Sequence, residues 1–244
     1  MKKILTAALL GLSLNSFAND APLWLRFSAI SPDGQTIAFS YKGDIFSVPV
    51  NGGTAKQLTT NSAYDAYPVW SPDGQKIAFA STREGSMDVY LMDKNGGVPK
   101  RLTTNSGSET PMAFTDNSHV LFTSAGMPTA KSIFFASGTF PQTYEVDIDA
   151  SRPRLYSPMT MYDVSIRSNG DILYHDAKGY EDNFRKHHRS PVTRDIWLYS
   201  KGNYTKLTDF NGEDRTPVWA GNDNAYYYLS EEDGTFNVYK RNID

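Results

Sequence analysis

The residues best suited to chemistry in this sequence are its four histidines, His119, His175, His187 and His188. If the chain is extended at His187 and His188, these neighbours point to opposite faces and cannot readily bind one metal ion together. The sequence contains no cysteine, which excludes a thiolate metal site and a disulfide framework. We therefore expect neither a metal nor another cofactor.

The densest positive run of the chain, residues 184–189, supplies the only candidate binding residues. They are Arg185, Lys186, His187, His188 and Arg189. On a surface insertion, this run would bind acidic peptides or dock on another domain. The alternative is a solvated loop between two strands, where the flanking Lys178, Glu181, Asp182 and Asp195 offer local ion pairs that would weaken the field of the run. Both interpretations stay open.

The sequence carries none of the common catalytic motifs. It contains no Gly-x-Ser-x-Gly elbow, HExxH motif, P-loop or Gly-x-Gly-x-x-Gly pattern. Asp33 and Asp73 could suggest a carboxylate pair, but they occupy matching positions of a repeat and so belong to separate structural units. We therefore predict no catalytic residue in this chain.

That repeat governs the organisation of the chain. Residues 31–40 read SPDGQTIAFS, and residues 71–80 read SPDGQKIAFA. A second phrase appears three times, as QLTTNSAYDAYPVW at 57–70, RLTTNSGSETPMAF at 101–114 and KLTDFNGEDRTPVW at 206–219. A four-stranded unit that recurs every 40 to 45 residues is typical of a β-propeller blade.

The repeated Ser-Pro-Asp-Gly segment predicts a turn. Proline fixes φ, glycine accepts the left-handed conformation, and the aspartate side chain can accept hydrogen bonds from the backbone of its own turn. Mid-strand apolar residues such as Ile77 and Phe79 predict burial between neighbouring blades. Trp70 and Trp219 occupy equivalent repeat positions and predict inter-blade packing. Residues 226–228, three tyrosines, predict a strand with half-buried rings.

The predicted fold class is all-β, a propeller of four-stranded antiparallel blades that forms part of a six-bladed ring. We place four complete blades at approximately 27–58, 67–102, 111–156 and 163–207, and an incomplete fifth at 217–244. Because the fifth blade lacks an outer strand, we expect the chain to be the front portion of a longer protein. The alternative is a five-bladed ring that borrows a strand from residues 21–27.

Residues 1–18 have the pattern of a signal peptide. Lys2 and Lys3 precede an apolar run that is too short for a stable membrane anchor, and small residues follow at 16–18. Cleavage before Asn19 would change the net charge from −3 to −5 and leave 19–244 as the propeller. We expect an exported protein, periplasmic or secreted, with no membrane span after cleavage and no affinity for nucleic acid.

The repeats resemble those of the TolB, tricorn protease and prolyl-oligopeptidase propellers. A more specific segment is KGYEDNFRKHHRSPVTRDIWLYSKGNYTKLTDFNGEDRTPVW at 178–219, which resembles the fourth-blade region of tricorn-type proteases of the S41 serine peptidase class. The resemblance covers essentially all of 22–244. The first blade begins soon after the predicted cleavage site, which leaves no room for the α/β domain that precedes the propeller in TolB-like proteins.

The resemblance implies a non-catalytic propeller that gates or binds peptides for an S41 peptidase domain absent from this sequence. The expected partners are peptides or unfolded protein substrates and downstream domains of the same polypeptide, with a homo-oligomer possible in the full-length form. The alternative function is a free-standing adaptor of the TolB type. A prolyl-oligopeptidase type propeller, followed by an α/β-hydrolase domain, is a third interpretation.

Overall fold

The computed structural model describes residues 24–125, 141–179, 189–221 and 224–243, and within these ranges the chain forms strands and no helix. No described helix could therefore cross a membrane. Blade 1 comprises β1 (Arg26–Ile30), β2 (Thr36–Tyr41), β3 (Asp44–Pro49) and β4 (Lys56–Gln57). Blade 2 comprises β5 (Asp65–Trp70), β6 (Lys76–Glu84), β7 (Ser86–Asp93) and β8 (Lys100–Arg101).

The remaining strands form three further sheets. Blade 3 comprises β9 (Glu109–Phe114), β10 (His119–Ser124), β11 (Gln142–Asp147) and β12 (Arg154–Ser157). Blade 4 comprises β13 (Tyr162–Ile166), β14 (Ile172–His175), β15 (Ile196–Ser200) and β16 (Asn203–Lys206). Blade 5 comprises β17 (Asp214–Trp219), β18 (Ala225–Ser230) and β19 (Asn237–Asn242). The predicted signal peptide lies outside the described residues.

Each sheet is an antiparallel meander in which the strands lie in chain order. The first strands of successive blades contact one another, β1 with β5, β5 with β9, β9 with β13 and β13 with β17. These five strands therefore line the centre of the molecule. The all-β propeller fold is confirmed, with four four-stranded blades and a three-stranded fifth.

The Ser-Pro-Asp-Gly turns have the predicted hydrogen bonds. In blade 2 the Asp73 carboxylate accepts bonds from the Ser71 hydroxyl at 2.6 Å and the Gln75 backbone N–H at 3.0 Å. Asp33 makes the same contacts in blade 1. Gly74 follows with φ of 67°, a conformation in which a side chain would be strained. Hydrogen bonding holds the pKa of both aspartates below its usual value.

Four apolar clusters fill the four interfaces between successive blades. Between blades 1 and 2, Ala38 and Ile45 pack with Ile77 and Phe79. Further clusters join blades 2 and 3, 3 and 4, and 4 and 5. The central positions of β6 are buried on both faces, because each face meets a different neighbouring sheet.

The two equivalent tryptophans connect adjacent blades. The Trp70 indole N–H donates to the Ala29 carbonyl of blade 1 at 3.1 Å, and the Trp219 indole N–H donates to the Ser165 carbonyl of blade 4 at 3.0 Å. Their predicted packing role is confirmed.

The three tyrosines at 226–228 differ from expectation. Tyr226 and Tyr228 are fully buried and Tyr227 is exposed, so the prediction of three half-buried rings was wrong. The alternation of a strand places the middle ring on the opposite face of blade 5.

Two carboxylates are buried at the junction between neighbouring blades. Asp88 and Glu109, at the junction of blades 2 and 3, are both fully buried. Arg101 contacts Asp88 at 2.8 Å. Desolvation raises the pKa of Glu109 to about 7. The charge of Asp88 adds to this shift, and hydrogen bonds to the carboxylate oppose it. Burial at this junction therefore keeps a large fraction of Glu109 protonated near neutral pH.

Two equivalent glycines provide a matched test of the contact between blades. Gly52 and Gly96 have φ of 85° and 87°, but a Cβ on Gly96 would lie 2.8 Å from the Leu58 carbonyl oxygen of blade 1, whereas Gly52 has open space. We expect Gly52→Ala to cost about 1 kcal/mol and Gly96→Ala about 2–3 kcal/mol. Urea unfolding measures both, and equal losses would refute the close inter-blade approach.

Glu109 gives a prediction in the pH dependence of stability. Because its folded pKa of about 7 exceeds the unfolded value of 4.5, its favourable contribution is present below pH 4.5 and is lost as the pH rises to 7. We expect Glu109→Gln to gain up to about 3 kcal/mol over the parent between pH 4.5 and 8. Glu232→Gln, at a half-exposed site, is the control; parallel curves for both variants would contradict the assignment.

Candidate functional site: the central channel

The innermost strands line a central channel with a cavity at each end. At the end where these strands begin, the cavity has a volume of about 820 Å³ and is lined by blades 1 to 4. We call this end the strand-start mouth. At the opposite end, next to the Ser-Pro-Asp-Gly turns, a second cavity of about 1230 Å³ is lined by all five blades.

All five innermost strands contain a bulge near the strand-start mouth. Each has one more residue than the paired stretch of its neighbour in the same blade. The residues at the equivalent position, which we call the bulge ring, are Phe27, Tyr67, Pro111, Asp163 and Thr216. Four of them, all except Pro111, have left-handed φ between 48° and 56°. For residues other than glycine this conformation costs about 1–3 kcal/mol each.

One side of the mouth is aromatic and apolar. The rings of Phe27 and Tyr67 lie with their centroids 3.8 Å apart. Pro68, Pro111 and Met112 continue this surface along the cavity wall. Aromatic rings and prolines provide apolar contact area with little loss of side-chain entropy, which suits the binding of a flexible chain.

The opposite side of the mouth is polar and contains Asp163. Its carboxylate accepts a hydrogen bond from the Thr216 hydroxyl at 2.7 Å and lies 3.6 Å from Nδ1 of His175. The Thr216 backbone N–H lies 3.3 Å from the same Nδ1. If Nδ1 accepts that bond, the ring proton is on Nε2 and the imidazole is neutral. Blade 5 thereby fixes both side chains of blade 4.

His175 is buried, and its charge state follows from that burial. Desolvation lowers the pKa of His175 to about 4; Asp163 opposes this shift, while Arg194 and Arg215 add to it. The two arginines lie 3.6 Å and 3.5 Å from the buried carboxylate of Glu213. At neutral pH the imidazole is therefore uncharged and acts as a hydrogen-bond acceptor for the Thr216 N–H.

The predicted basic run is only partly visible. Arg185, Lys186, His187 and His188 lie outside the described residues, and Arg189 is exposed at the surface. The structure therefore does not test their proposed binding role. One of the ion pairs expected near this run is present, since Lys178 contacts Asp195. No group of three or more potential metal ligands occurs in the described ranges.

Sequence reasoning missed Asp163, His175 and the bulge ring. A usable signal existed, because MYDVSI at 161–166 aligns with DAYPVW at 65–70 and places Asp163 where the other blades have an uncharged residue. The approach of His175 depends on strand pairing within blade 4 and on contact with blade 5, which no local pattern predicts.

The propeller matches a known protein family over most of the chain. The family described as the Tricorn protease N-terminal beta propeller domain matches residues 22–244. The chain belongs to this family. Among curated relatives of this tricorn-type propeller, Tricorn protease homolog 1 of Streptomyces coelicolor is 28% identical over 229 residues, which cover 92% of the chain and 20% of the relative. Dipeptidyl-peptidase 5 of Porphyromonas gingivalis is 43% identical over 106 residues, 39% of the chain and 16% of the relative.

Solved structures share the architecture of the tricorn-type propeller. The crystal structure of the tricorn protease superimposes with a TM-score of 0.71 at 21% identity, covering 90% of this chain and 21% of that one. A TolB from Agrobacterium tumefaciens gives 0.68 at 16% identity, covering 90% and 77%. At these identities the structures establish the fold alone. The propeller spans about a fifth of the length of Tricorn protease homolog 1.

His175 predicts a second, opposite pH dependence. Because its folded pKa of about 4 lies below the unfolded value of 6.5, its contribution to stability is complete above pH 6.5 and is lost as the pH falls to 4. His175→Asn keeps an acceptor for the Thr216 N–H, so we expect it to remove up to about 3 kcal/mol of this acid sensitivity. Denaturation curves at pH 7 and 4.5 measure the effect, with His119→Asn as control; an unchanged slope in His175→Asn would contradict burial of a neutral imidazole.

Proposed function

We propose that the propeller binds and gates peptides through its central channel for an S41-type peptidase region of a tricorn-like protease, and is not itself catalytic. The observation that carries this proposal is the bulge ring: strained, non-glycine residues gather at the strand-start mouth. Backbone strain of this kind concentrates at binding sites. Membership of the tricorn-type family supports the link to proteolysis.

The mouth also has suitable dimensions and chemistry for a peptide. A volume of about 820 Å³ lies within the range of cavities that enclose small ligands, so it suits a short peptide segment. Its wall alternates apolar rings with hydroxyls at Ser28, Thr110 and Thr123, which can contact both side chains and backbone of an extended chain. We further propose that the protein is exported, because residues 1–18 have the composition of a signal peptide.

An adaptor role of the TolB type is the second candidate. It is supported by the likeness to the Agrobacterium tumefaciens TolB, most of whose chain the propeller covers. The two functions differ in the surface they use: a gate needs an open channel, whereas an adaptor can bind its partner on the outside of the blades. Blocking the channel therefore separates them.

A channel-blocking variant tests the proposal. Ser28 lines the strand-start mouth, and Ser28→Trp would fill part of it. We expect this variant to bind labelled hexapeptides about tenfold more weakly than the parent in fluorescence anisotropy, since the indole fills cavity volume and blocks access to the wall. Neither protein should hydrolyse the peptides, as judged by mass spectrometry.

The matched control is Ser151→Trp, at an exposed position between β11 and β12. It should leave peptide affinity unchanged, and equal urea midpoints would show that both variants fold. Undiminished peptide binding by Ser28→Trp would exclude the channel as the binding site and favour an adaptor surface. Turnover that co-purifies with the chain and persists through repeated purification would overturn the non-catalytic role.

A further inference from the structure

The strand-start mouth has one charged side chain among its described lining residues, the carboxylate of Asp163. Half of this side chain is exposed, so it faces the cavity and is available to a ligand. The other described lining residues are apolar, aromatic or uncharged polar side chains. The described wall therefore carries a single negative charge in a largely apolar setting, where a charge pair is stronger than in open water.

The carboxylate is held in place before any ligand arrives. Asp163 and Thr216 have left-handed φ of 48° and 53°, and the Thr216 hydroxyl donates to Oδ2 of Asp163 at 2.7 Å. A β-branched residue such as threonine rarely adopts this conformation. Because the orientation is already fixed, a ligand does not have to meet the entropic cost of ordering the side chain.

Within the described part of the chain, neighbouring groups leave this negative charge uncompensated. His175 is the described residue in ion-pair distance of Asp163, and its Nδ1 faces the Thr216 N–H, as expected of a neutral ring. Arg194 and Arg215, whose charges lower the pKa of His175, both lie within salt-bridge distance of Glu213. No described residue of the cavity supplies a positive charge to Asp163, so a cationic ligand would complete the pair.

We propose that the strand-start mouth selects peptides that carry a cationic group beside an aromatic or aliphatic side chain. The ammonium or guanidinium group binds the Asp163 carboxylate, and the apolar side chain packs against Phe27 and Tyr67. The cation comes from the peptide N-terminus or from a lysine or arginine side chain. This inference rests on the proposed peptide-binding function and adds the chemical class of the ligand.

Three peptides of equal length, each with a phenylalanine and a C-terminal fluorophore, test the inference by anisotropy. The first has a free N-terminus and a lysine, the second is N-acetylated with the lysine, and the third is N-acetylated with norleucine in place of lysine. We expect the third to bind the wild-type chain about tenfold more weakly than the first, because it lacks every charge-assisted hydrogen bond to Asp163. Weaker binding of the second peptide identifies the N-terminal ammonium as the cation. Weaker binding of the third peptide alone identifies the lysine side chain.

Asp163→Asn keeps the shape and an acceptor for Thr216 but removes the charge, so it should bind all three peptides with equal, weak affinity. Asp149→Asn, whose carboxylate is 92% exposed in blade 3, is the matched control and should retain the wild-type preference. If wild type binds lysine and norleucine peptides equally, or Asp163→Asn keeps the preference, the inference fails while peptide binding stands. If none of the peptides binds, the proposed function fails with it.

Discussion

Each sheet of this protein has apolar side chains on both faces, and only the neighbouring sheets cover them. Ile77 and Ala78 are adjacent in β6 and both fully buried; Ile77 packs in the cluster shared with blade 1 and Ala78 in the cluster shared with blade 3. Burial of this kind forces the blades to stack face to face. In the first and last of the five sheets, by contrast, Ile30 and Val238 remain 58% and 69% exposed.

Stacking the blades brings their first strands together at the centre, and the bulges follow from that convergence. A bulge increases local twist and redirects side chains. In blade 3 the bulge forms although Pro111 cannot adopt a positive φ. Pro111 stays paired with Phe122, whereas Tyr67, Asp163 and their equivalents have no ladder partner. The left-handed conformation therefore belongs to the bulges of the other four blades, where it sets the direction of the side chains at the mouth.

The blade turns were predictable because their interactions are local. Asp73 accepts hydrogen bonds within its own turn, and Gly74 supplies the left-handed backbone conformation. Five consecutive residues therefore contain every interaction that defines the turn. The inter-blade role of Trp70 was predictable from the repeat. Glu109 and His175 were not, since their properties come from burial against a neighbouring blade and from charges distant in sequence. Local sequence thus predicts the scaffold better than the site.

The distribution of charge separates scaffold from site. Behind the channel wall, two buried carboxylates have arginine partners: Arg83 contacts Asp65 at 2.6 Å, and Arg101 contacts Asp88. A buried carboxylate without a partner would be costly, so these pairs are what a stable junction requires. Asp163 differs because it faces the channel beside a buried imidazole, with no arginine or lysine within salt-bridge distance among the described residues. Glu109 also lacks a salt-bridge partner among the described residues, but it is buried, whereas Asp163 is half-exposed at the mouth, as the recognition role that we propose for it requires.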